Sequence, residues 1–302
     1  GDGGTPEPGP QRLSVAQRAT ARRLSESGIG TAALDARLLV LLATGLSHER
    51  LVAEPDRPIS PQEAERLSAL LTRRLAGEPV SRIRSEREFY GLPFSRAYYA
   101  DRTFDSSTLD PRPDTEILVE LALDFARSRP APLRILDLGT GSGAILVSLL
   151  ANLPDARGVA TDRSREALAM ARRNAGRNGV LPRAEFVLAD WCAGLTGPFD
   201  LIVSNPPYIP SAGIGGLAPE VSRFDPEGAL DGGPDGLECY RAIAACAGGL
   251  LAADGLLAVE IGDGRKPEVA SIFAERGWKP AESLPDHVDL AGRVRVLAFG
   301  RA

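Results

Sequence analysis

The residues of this chain best suited to chemistry follow an apolar run, at Asn205-Pro206-Pro207-Tyr208. The apolar residues 201–203 predict a buried strand, which the two prolines cannot extend. Asn205 is therefore expected at the carboxyl end of a strand, the edge at which open α/β sheets bind ligands. Its side-chain oxygen and the Pro206 carbonyl can accept both hydrogens of a planar NH2 group, with the Tyr208 ring against that plane. The alternative interpretation is a plain turn that ends a strand.

A glycine-rich stretch follows an earlier predicted strand and opens a helix. Glycine lets the backbone turn tightly and come close to a ligand. Its leading acid, Asp137, is badly placed beside a pyrophosphate but well placed beside a cation or an amino group. S-adenosylmethionine carries a sulfonium and an amino group and no phosphate, so the pattern favours a methyl donor over NAD. The candidate cofactor-binding residues here are Asp137, Gly139, Thr140, Gly141, Ser142 and Gly143.

Acidic and aromatic residues stand at the ends of the next two predicted strands. Asp162 is placed to bind ribose hydroxyls, or else it caps the following helix, a role that Ser164 could equally fill. Asp190 can accept a hydrogen bond from an adenine amino group, and Trp191 can lie against the base or pack in the core. The order of these residues at successive strand ends, with Asn205 next, predicts one cofactor site along one sheet edge.

The composition narrows the class of protein. The 302 residues include 35 Lys and Arg against 40 Asp and Glu, which argues against a broad basic surface for nucleic acid. The cysteines and histidines lie in no metal-ligand spacing, so no metal site is expected. We expect the thiols to be buried and reduced, which suits the cytoplasm, and no apolar run approaches the length of a membrane span. These residues are Cys192, Cys239, Cys246, His48 and His287.

The elements that position these residues are expected to form two domains. Residues 1–10 are rich in Gly and Pro, lack a signal-peptide core and are predicted to be a disordered tail. Residues 11–77 are predicted to form a helical bundle domain. A connector with a short hairpin around Gly91 spans 78–113, and an α/β domain spans 114–302.

Three helices are predicted in the helical domain, because each shows the periodicity and end signals of a helix. The third begins with a capping box from Ser60 to Glu63, with Pro61 at the first helical position. The predicted helices span 13–26, 32–44 and about 61–75.

From residue 133 onward strand and helix patterns alternate, which predicts a mostly parallel sheet with helices on both faces and one antiparallel strand near the end. Strands are predicted at 133–138, 158–161, 185–189, 201–204, 256–261 and 294–299. Helices are predicted at 117–126, 144–151, 165–177, 239–251 and 267–276. Asp114 or Thr115 can cap the first of these helices. Arg112, held between two prolines, is unusually rigid for a solvated charge and is a candidate substrate-binding residue.

Seven short motifs carry a resemblance to a known family. They lie at 77–80, 89–92, 111–116, 137–143, 205–208, 224–226 and 229–236. With these motifs the chain resembles the PrmC/HemK family, the bacterial protein-(glutamine-N5) methyltransferases of peptide chain release factors. That family belongs to the class I S-adenosylmethionine-dependent methyltransferases. Segment 95–110 is longer than the usual connector, and Arg84-Ser85 replaces a usual Leu-Gly pair.

The resemblance implies a Rossmann-like fold with a seven-stranded, mostly parallel sheet behind a small all-helical domain. It implies transfer of a methyl group from S-adenosylmethionine to a glutamine of the release factor's Gly-Gly-Gln loop, with S-adenosylhomocysteine as the product. Residues 139–143, Asp162 and Trp191 would bind the donor, and residues 205–208 would bind the glutamine. We also place Asn205 beside the donor and expect a cytoplasmic monomer that binds neither membrane nor nucleic acid.

Three alternatives stay open at this point. Enzymes that methylate the amino group of adenine at N6 or of cytosine at N4 use a similar turn, because their target is also a planar NH2 group. A related glutamine methyltransferase acts on a ribosomal protein. A catalytically silent binding module with the same fold is the third alternative, against which the intact turn and glycine loop argue.

Overall fold

A computed structural model describes residues 11–84, 86–95, 112–217, 227–281 and 287–301. It divides the chain into two compact units, with the division after residue 85. The predicted tail 1–10 and the unusual segment 95–110, apart from its first residue, lie outside the described residues. The domain boundaries at residues 77 and 113 stay predictions.

The first unit is helical. Its described part holds five helices: α1 Leu13–Glu26, α2 Ala32–Thr44, α3 His48–Ala53, α4 Pro61–Leu75 and α5 Val80–Arg84. The three predicted helices match α1, α2 and α4, and α3 and α5 were not predicted. The capping box is present, because Ser60 Oγ accepts from the Glu63 N–H at 3.1 Å and a Glu63 carboxylate oxygen accepts from the Ser60 N–H at 2.7 Å. Inside the unit, Arg74 and Asp35 form a buried ion pair at 2.7 Å.

The second unit begins with a hairpin of two short strands, β1 Glu86–Phe89 and β2 Leu92–Ser95. Its turn holds Tyr90 and Gly91, both in the left-handed backbone region, which is the geometry of a two-residue hairpin turn. The hairpin therefore lies where the sequence predicts it.

The sheet of the second unit has seven strands in the order β5-β4-β3-β6-β7-β10-β8, and a two-residue strand, β9, also pairs with β10. The strands are β3 Arg134–Leu138, β4 Arg157–Asp162, β5 Ala184–Leu188, β6 Phe199–Ser204, β7 Leu251–Glu260, β8 Trp278–Pro280, β9 His287–Val288 and β10 Val294–Arg301. β5, β4, β3, β6 and β7 are parallel, and β10 is antiparallel to its neighbours. The predicted fold class, an α/β Rossmann-like sheet behind a helical part, is confirmed.

Helices cover both faces of this sheet. They are α6 Pro113–Arg127, α7 Ala144–Asn152, α8 Arg165–Arg177, α9 Glu227–Leu230, α10 Glu238–Cys246 and α11 Lys266–Glu275. Successive residues of a strand point to opposite faces. In β3, Ile135 packs in the core cluster that holds Leu118 of α6, and Leu136 packs in the cluster that holds Tyr240 of α10 and Phe273 of α11.

Two helix predictions need correction. The predicted helix 239–251 ends at Cys246, because a short 3-10 turn, Ala247–Gly249, with two glycines leads directly into β7 at Leu251. The predicted caps of α6 are wrong, because neither Asp114 nor Thr115 caps the helix; Arg112 occupies the cap position without a side-chain hydrogen bond.

The prediction of reduced thiols is wrong for two of the three cysteines. Cys192, after β5, and Cys246, at the end of α10, form a disulfide with their Cα atoms 5.9 Å apart. The two residues are 54 positions apart in the sequence, so only the fold reveals their proximity. Cys239 has a free, half-buried thiol. Within the described ranges, no helix is both long and apolar enough to span a membrane.

Candidate active site

A cavity of about 840 Å³ opens where the strands β3, β4, β5 and β6 end. These strands are parallel neighbours, so the residues that follow them meet at one edge of the sheet. The sequence-predicted residues that line the cavity are Gly139, Thr140, Gly141, Ser142, Asp162, Asp190, Trp191, Asn205 and Pro207. The structure thus brings together residues from all four strand ends.

The loop from β3 to α7, residues 139–143, is shaped by glycines in the left-handed backbone region. Gly139, Gly141 and Gly143 have φ angles of 69°, 54° and 80°. Two features disfavour a side chain at Gly143. One is its left-handed φ angle, and the other is that a β-carbon there would lie 2.9 Å from the β-carbon of Ala171 on α8. The loop therefore packs directly on α8.

Hydrogen bonds fix this glycine loop to the elements around it. The Thr140 N–H donates to the Thr161 carbonyl at 2.8 Å, and the Thr140 hydroxyl donates to Asp137 at 2.7 Å. The buried Asn174 side chain donates to the Ser142 carbonyl at 2.8 Å. The backbone path is consequently set before any ligand arrives.

Asp137 lies fully buried beneath the loop. One of its carboxylate oxygens accepts from the Thr140 hydroxyl. Burial raises the pKa of Asp137 to about 7, against the opposing effects of hydrogen bonds from Thr140 and from the Leu146 backbone N–H on α7. Asp137 therefore joins the loop to α7 from below.

Asp162 joins the glycine loop to the start of α8. Its Oδ2 accepts from the Gly141 N–H and its Oδ1 from the Ser164 N–H, both at 2.9 Å. Ser164 Oγ accepts from the Ala167 N–H at 3.1 Å and is the cap of α8. The capping role that the sequence left open therefore belongs to Ser164, and Asp162 faces the cavity.

Trp191 stands beside the loop in a conformation unusual for its residue type. Its φ angle is 48°, and a non-glycine residue in this region is strained unless its surroundings hold it. The Thr161 hydroxyl donates to the Trp191 carbonyl at 3.3 Å, and the indole ring is near enough that a β-carbon on Gly139 would contact it at 3.5 Å. The ring both packs on the core and lines the cavity, and Asp190 next to it is exposed.

The Asn-Pro-Pro-Tyr turn follows β6 and contributes Asn205 and Pro207 to the cavity lining, and we call residues 205–208 the corner. Asn205 Nδ2 donates to Thr115 Oγ1 at 3.1 Å, which leaves the Asn205 side-chain oxygen to accept from a ligand. Just before the corner, Ser204 Oγ donates to the Leu138 carbonyl at 2.7 Å and ties the end of β6 to the end of β3.

A second glycine-containing segment, residues 229–236, packs against the corner. A β-carbon on Gly232 would lie 2.9 Å from the Pro207 carbonyl, and one on Gly236 would lie 2.5 Å from the Tyr208 carbonyl. The Gly232 N–H donates to the Ile209 carbonyl at 2.8 Å. Close backbone approach therefore requires glycine at these two positions.

Two family models match this chain. The model described as the PrmC N-terminal domain matches residues 16–84, and the model described as the methyltransferase small domain matches residues 108–216. A release factor glutamine methyltransferase of Agrobacterium fabrum is 43% identical over 97% of this chain and 99% of its own length. A release factor glutamine methyltransferase of Rhodospirillum rubrum is 47% identical over 92% of this chain and 82% of its own length.

The chain belongs to the release factor glutamine methyltransferase family. The resemblance carried by the seven motifs is thereby confirmed, and with it the prediction of an S-adenosylmethionine-dependent methyltransferase. The solved catalytic domain of hMettl16, in complex with a 3′UTR hairpin, is 15% identical with a TM-score of 0.52. The match covers 83% of this chain and 85% of the hMettl16 chain, and the similarity concerns the fold alone.

Some residues predicted for this family's site lie behind the cavity wall. Five of the predicted site residues are not among the described residues that line the cavity: Asp137, Gly143, Pro206, Tyr208 and Arg112. Asp137 and Gly143 support the glycine loop from below, and Pro206 is buried within the corner.

Tyr208 and Arg112 lie outside the cavity lining, near Glu260. The Tyr208 ring is half-buried and packs near Gly262, where a β-carbon would lie 3.0 Å from the ring. Burial, followed by the negative charge of Glu260, raises the pKa of Tyr208 to about 12, so the phenol stays protonated at neutral pH. The positive charge of Arg112 lowers the pKa of both Glu260 and Tyr208.

Sequence reasoning missed several cavity residues. They include Thr115, Arg163, Asp231, Glu238 and Cys239. Thr115 and Asp231 lie in motifs that carried the resemblance, but no chemistry was assigned to them. Glu238 and Cys239 start a helix that is distant in sequence from the glycine loop, and no local signal marks them as part of the site.

Proposed function

We propose that this chain transfers a methyl group from S-adenosylmethionine to the side-chain nitrogen of a glutamine in a peptide chain release factor. The observation that carries this proposal is that residues of the glycine loop and Asn205 line one cavity. Identity of 43% and 47% to release factor glutamine methyltransferases, along nearly the whole chain, supports the choice of substrate.

The donor half of the cavity fits S-adenosylmethionine. Asp162 offers a carboxylate at the cavity wall, and Asp137 supports the glycine loop from below. We assign Asp137 and residues 139–143 to the amino acid part of the donor, Asp162 to its ribose, and Asp190 and Trp191 to its adenine. When bound, S-adenosylmethionine supplies an electrophilic methyl carbon on its sulfonium.

The acceptor half positions a carboxamide. The Asn205 oxygen and the Pro206 carbonyl accept the two hydrogens of the glutamine NH2 group, and the Tyr208 ring packs against its plane. An amide nitrogen is a poor nucleophile, and acceptors on both hydrogens favour the positive charge that builds up on nitrogen as it attacks. Bond formation between this nitrogen and the methyl carbon would break the carbon–sulfur bond and leave the sulfur as a neutral thioether, and one amide proton would then leave to water.

The proposed methyl transfer does not require a strong general base. Burial raises the pKa of Cys239 at the cavity wall to about 11, so its thiol stays protonated. The pKa of Asp231 is lowered by hydrogen bonds from Ser211 and the Gly233 N–H, which makes its carboxylate a weak base. Positioning of the amide therefore carries the reaction.

The decisive assay supplies S-adenosylmethionine with a labelled methyl group to the purified full chain. Release factor, ribosomal protein and DNA are offered in separate reactions, and the labelled residue is located by mass spectrometry. We expect one labelled glutamine in the release factor and none of the label in DNA. Label found mainly in ribosomal protein or DNA would overturn the proposal.

We further propose a monomer that works in the cytoplasm and binds neither membrane nor nucleic acid, consistent with its formal net charge of −5. Analytical ultracentrifugation checks the monomer. We also propose that residues 11–77 and 114–302 are separate domains, which limited proteolysis within the connector 78–113 would test.

A further inference from the structure

The Asn205 side chain presents an orientation problem. The two ends of a carboxamide have nearly the same shape, but only the oxygen can accept from a substrate NH2 group. A flipped Asn205 would direct its own NH2 group at the substrate and repel it. The protein therefore needs a feature that selects one of the two orientations.

A relay of hydrogen bonds provides this selection. The Thr115 hydroxyl donates its single proton to a carboxylate oxygen of Glu260 at 2.6 Å. Its oxygen can then only accept, and it accepts from Asn205 Nδ2 at 3.1 Å. The ionised carboxylate, which can only accept, thereby fixes the direction of both hydrogen bonds.

We propose that Glu260 is a positioning residue that acts through Thr115 to hold the Asn205 carboxamide with its oxygen toward the substrate. This inference rests on the proposed function of the corner. Neither Glu260 nor the donor-binding loop needs to contact the substrate for the relay to work. Thr115 is the link, because it lines the cavity beside Asn205 and reaches Glu260 from α6.

The surroundings of Glu260 are built to hold it. It is the last residue of β7, it is only 3% exposed, and its backbone carbonyl accepts from the Tyr240 hydroxyl at 2.9 Å. The Tyr240 bond fixes the backbone, and the buried carboxyl group has its hydrogen bond from Thr115, since an uncompensated carboxyl group is costly to bury. A purely structural role would be met as well by an apolar residue, whereas the relay needs an acceptor at this position.

The charge state of Glu260 gives the relay a pH dependence. Burial raises its pKa to about 7, with Thr115 as the largest opposing influence. Asp114 raises the pKa further, and the positive charges of Arg295 and Arg112 lower it. Two phenols, Tyr208 and Tyr240, also face this carboxyl group, and burial raises the pKa of each above its usual value, so they stay neutral.

Protonation of Glu260 would remove the directionality. A neutral carboxylic acid can donate to Thr115, whose hydroxyl proton is then free to turn toward Asn205 and to favour the flipped carboxamide. The carboxylate exists above its pKa and the acid below it, so the correct orientation is lost as pH falls through about 7. The turnover number should fall on that acid side.

The test compares pH profiles of kcat at saturating donor and release factor for wild type, Glu260→Gln and Thr115→Val. Gln mimics the neutral acid in shape and charge, and Val keeps the shape of Thr without its hydroxyl. We expect each variant to lower kcat at pH 8 by about 10-fold or more and to lose the acid limb near pH 7 that wild type shows. Affinity for S-adenosylhomocysteine, measured by calorimetry, should stay close to that of wild type.

Two controls separate positioning from stability. Thr115→Ser restores the hydroxyl and should recover most of the activity that Thr115→Val loses. Thr20→Val removes a buried threonine hydroxyl in the helical unit and should leave the pH profile as in wild type. If Glu260→Gln does not fold, judged by melting and by S-adenosylhomocysteine binding, the profile of Thr115→Val decides.

The failure of this inference is distinguishable from that of the proposed function. A wild type that does not methylate release factor glutamine would overturn the function and this inference with it. A wild type that does, with Glu260→Gln or Thr115→Val retaining both its kcat and its acid limb, would overturn the relay alone.

Discussion

The glycine loop and the corner both line one cavity, but different forces hold them in place. The glycine loop, residues 139–143, is fixed by its own backbone angles and by bonds to the strands and helix beside it. The corner depends on side chains that are distant in sequence. Thr115 is 90 positions from Asn205 and 145 positions from Glu260.

Because of this difference, we expect substitutions in the two regions to impair the enzyme in different ways. At Gly143 the loop has no space for a β-carbon, so we expect a side chain there to cause a steric conflict with α8 and to weaken donor binding. The corner has acceptors that must point in one direction, so it fails by misorientation and loses turnover while the donor still binds. Donor affinity and kcat therefore report separately on the two regions.

The largest expected effect is at the corner. Asn205→Ala should lower kcat by about 100- to 1,000-fold, because an acceptor for the developing positive charge is lost. Donor affinity, measured with S-adenosylhomocysteine, should change little. Asn152→Ala is the control, since its side chain donates only to the Ser148 carbonyl on α7. Near-normal turnover of Asn205→Ala would contradict the comparison.

The next effect tests the loop with a matched pair of glycines. Gly143 and Gly179 have φ angles of 80° and 72°, but only at Gly143 does a β-carbon meet other atoms, those of Ala171. Both alanine variants carry left-handed strain of about 1 kcal/mol, and only Gly143→Ala adds a clash. We expect donor affinity to fall about 10-fold for Gly143→Ala alone. Equal losses in the two variants would show that backbone strain, and not packing on α8, controls the loop.

A smaller effect concerns the phenol of the corner. Tyr208 has a pKa of about 12, so it stays protonated from pH 6 to 9 and cannot serve as a base there. Tyr208→Phe keeps the ring and should lower kcat by no more than about 3-fold, with the shape of the pH profile unchanged. If the acid limb of the profile disappeared in this variant, the assignment of that limb to Glu260 would be wrong.

The smallest expected effect is that of breaking the disulfide between Cys192 and Cys246. Cys192 follows Trp191, so its bond to Cys246 restricts the segment that carries the indole ring. Cys246→Ser should weaken S-adenosylhomocysteine binding by about 2-fold and leave kcat at saturating donor unchanged. Treatment of wild type with a reducing agent should reproduce this result, and a fall in kcat would show that the disulfide also influences the corner.

Local signals account for what the sequence predicted well. The helix α2 ends at Gly45, in left-handed backbone, and α4 begins with the Ser60 capping box, both within a few residues of the predicted ends. The glycine loop and the corner were found for the same reason, because each is a continuous motif. The mostly parallel sheet with helices on both faces followed from the alternation of strands and helices.

The unpredicted features depend on distant partners. Thr115 has the residue type of a helix cap, but its hydroxyl donates to the carboxylate of Glu260 at the end of strand β7. Cys192 and Cys246 show no motif, and their pairing requires the packing of α10 beside the loop after β5. Glu260 is an acid within an apolar run, which is a signal in the sequence, although its partner cannot be identified without the fold.

The hydrogen bonds of the Asp162 carboxylate affect which sugar the proposed donor site can bind. A carboxylate has roughly four acceptor positions, and the Gly141 and Ser164 N–H groups already take two of them. If Asp162 binds the donor's ribose as proposed, the remaining pair matches the two hydroxyls of a vicinal diol. A sugar with a single hydroxyl would leave one acceptor without a partner, so we expect this site to bind ribose more tightly than deoxyribose.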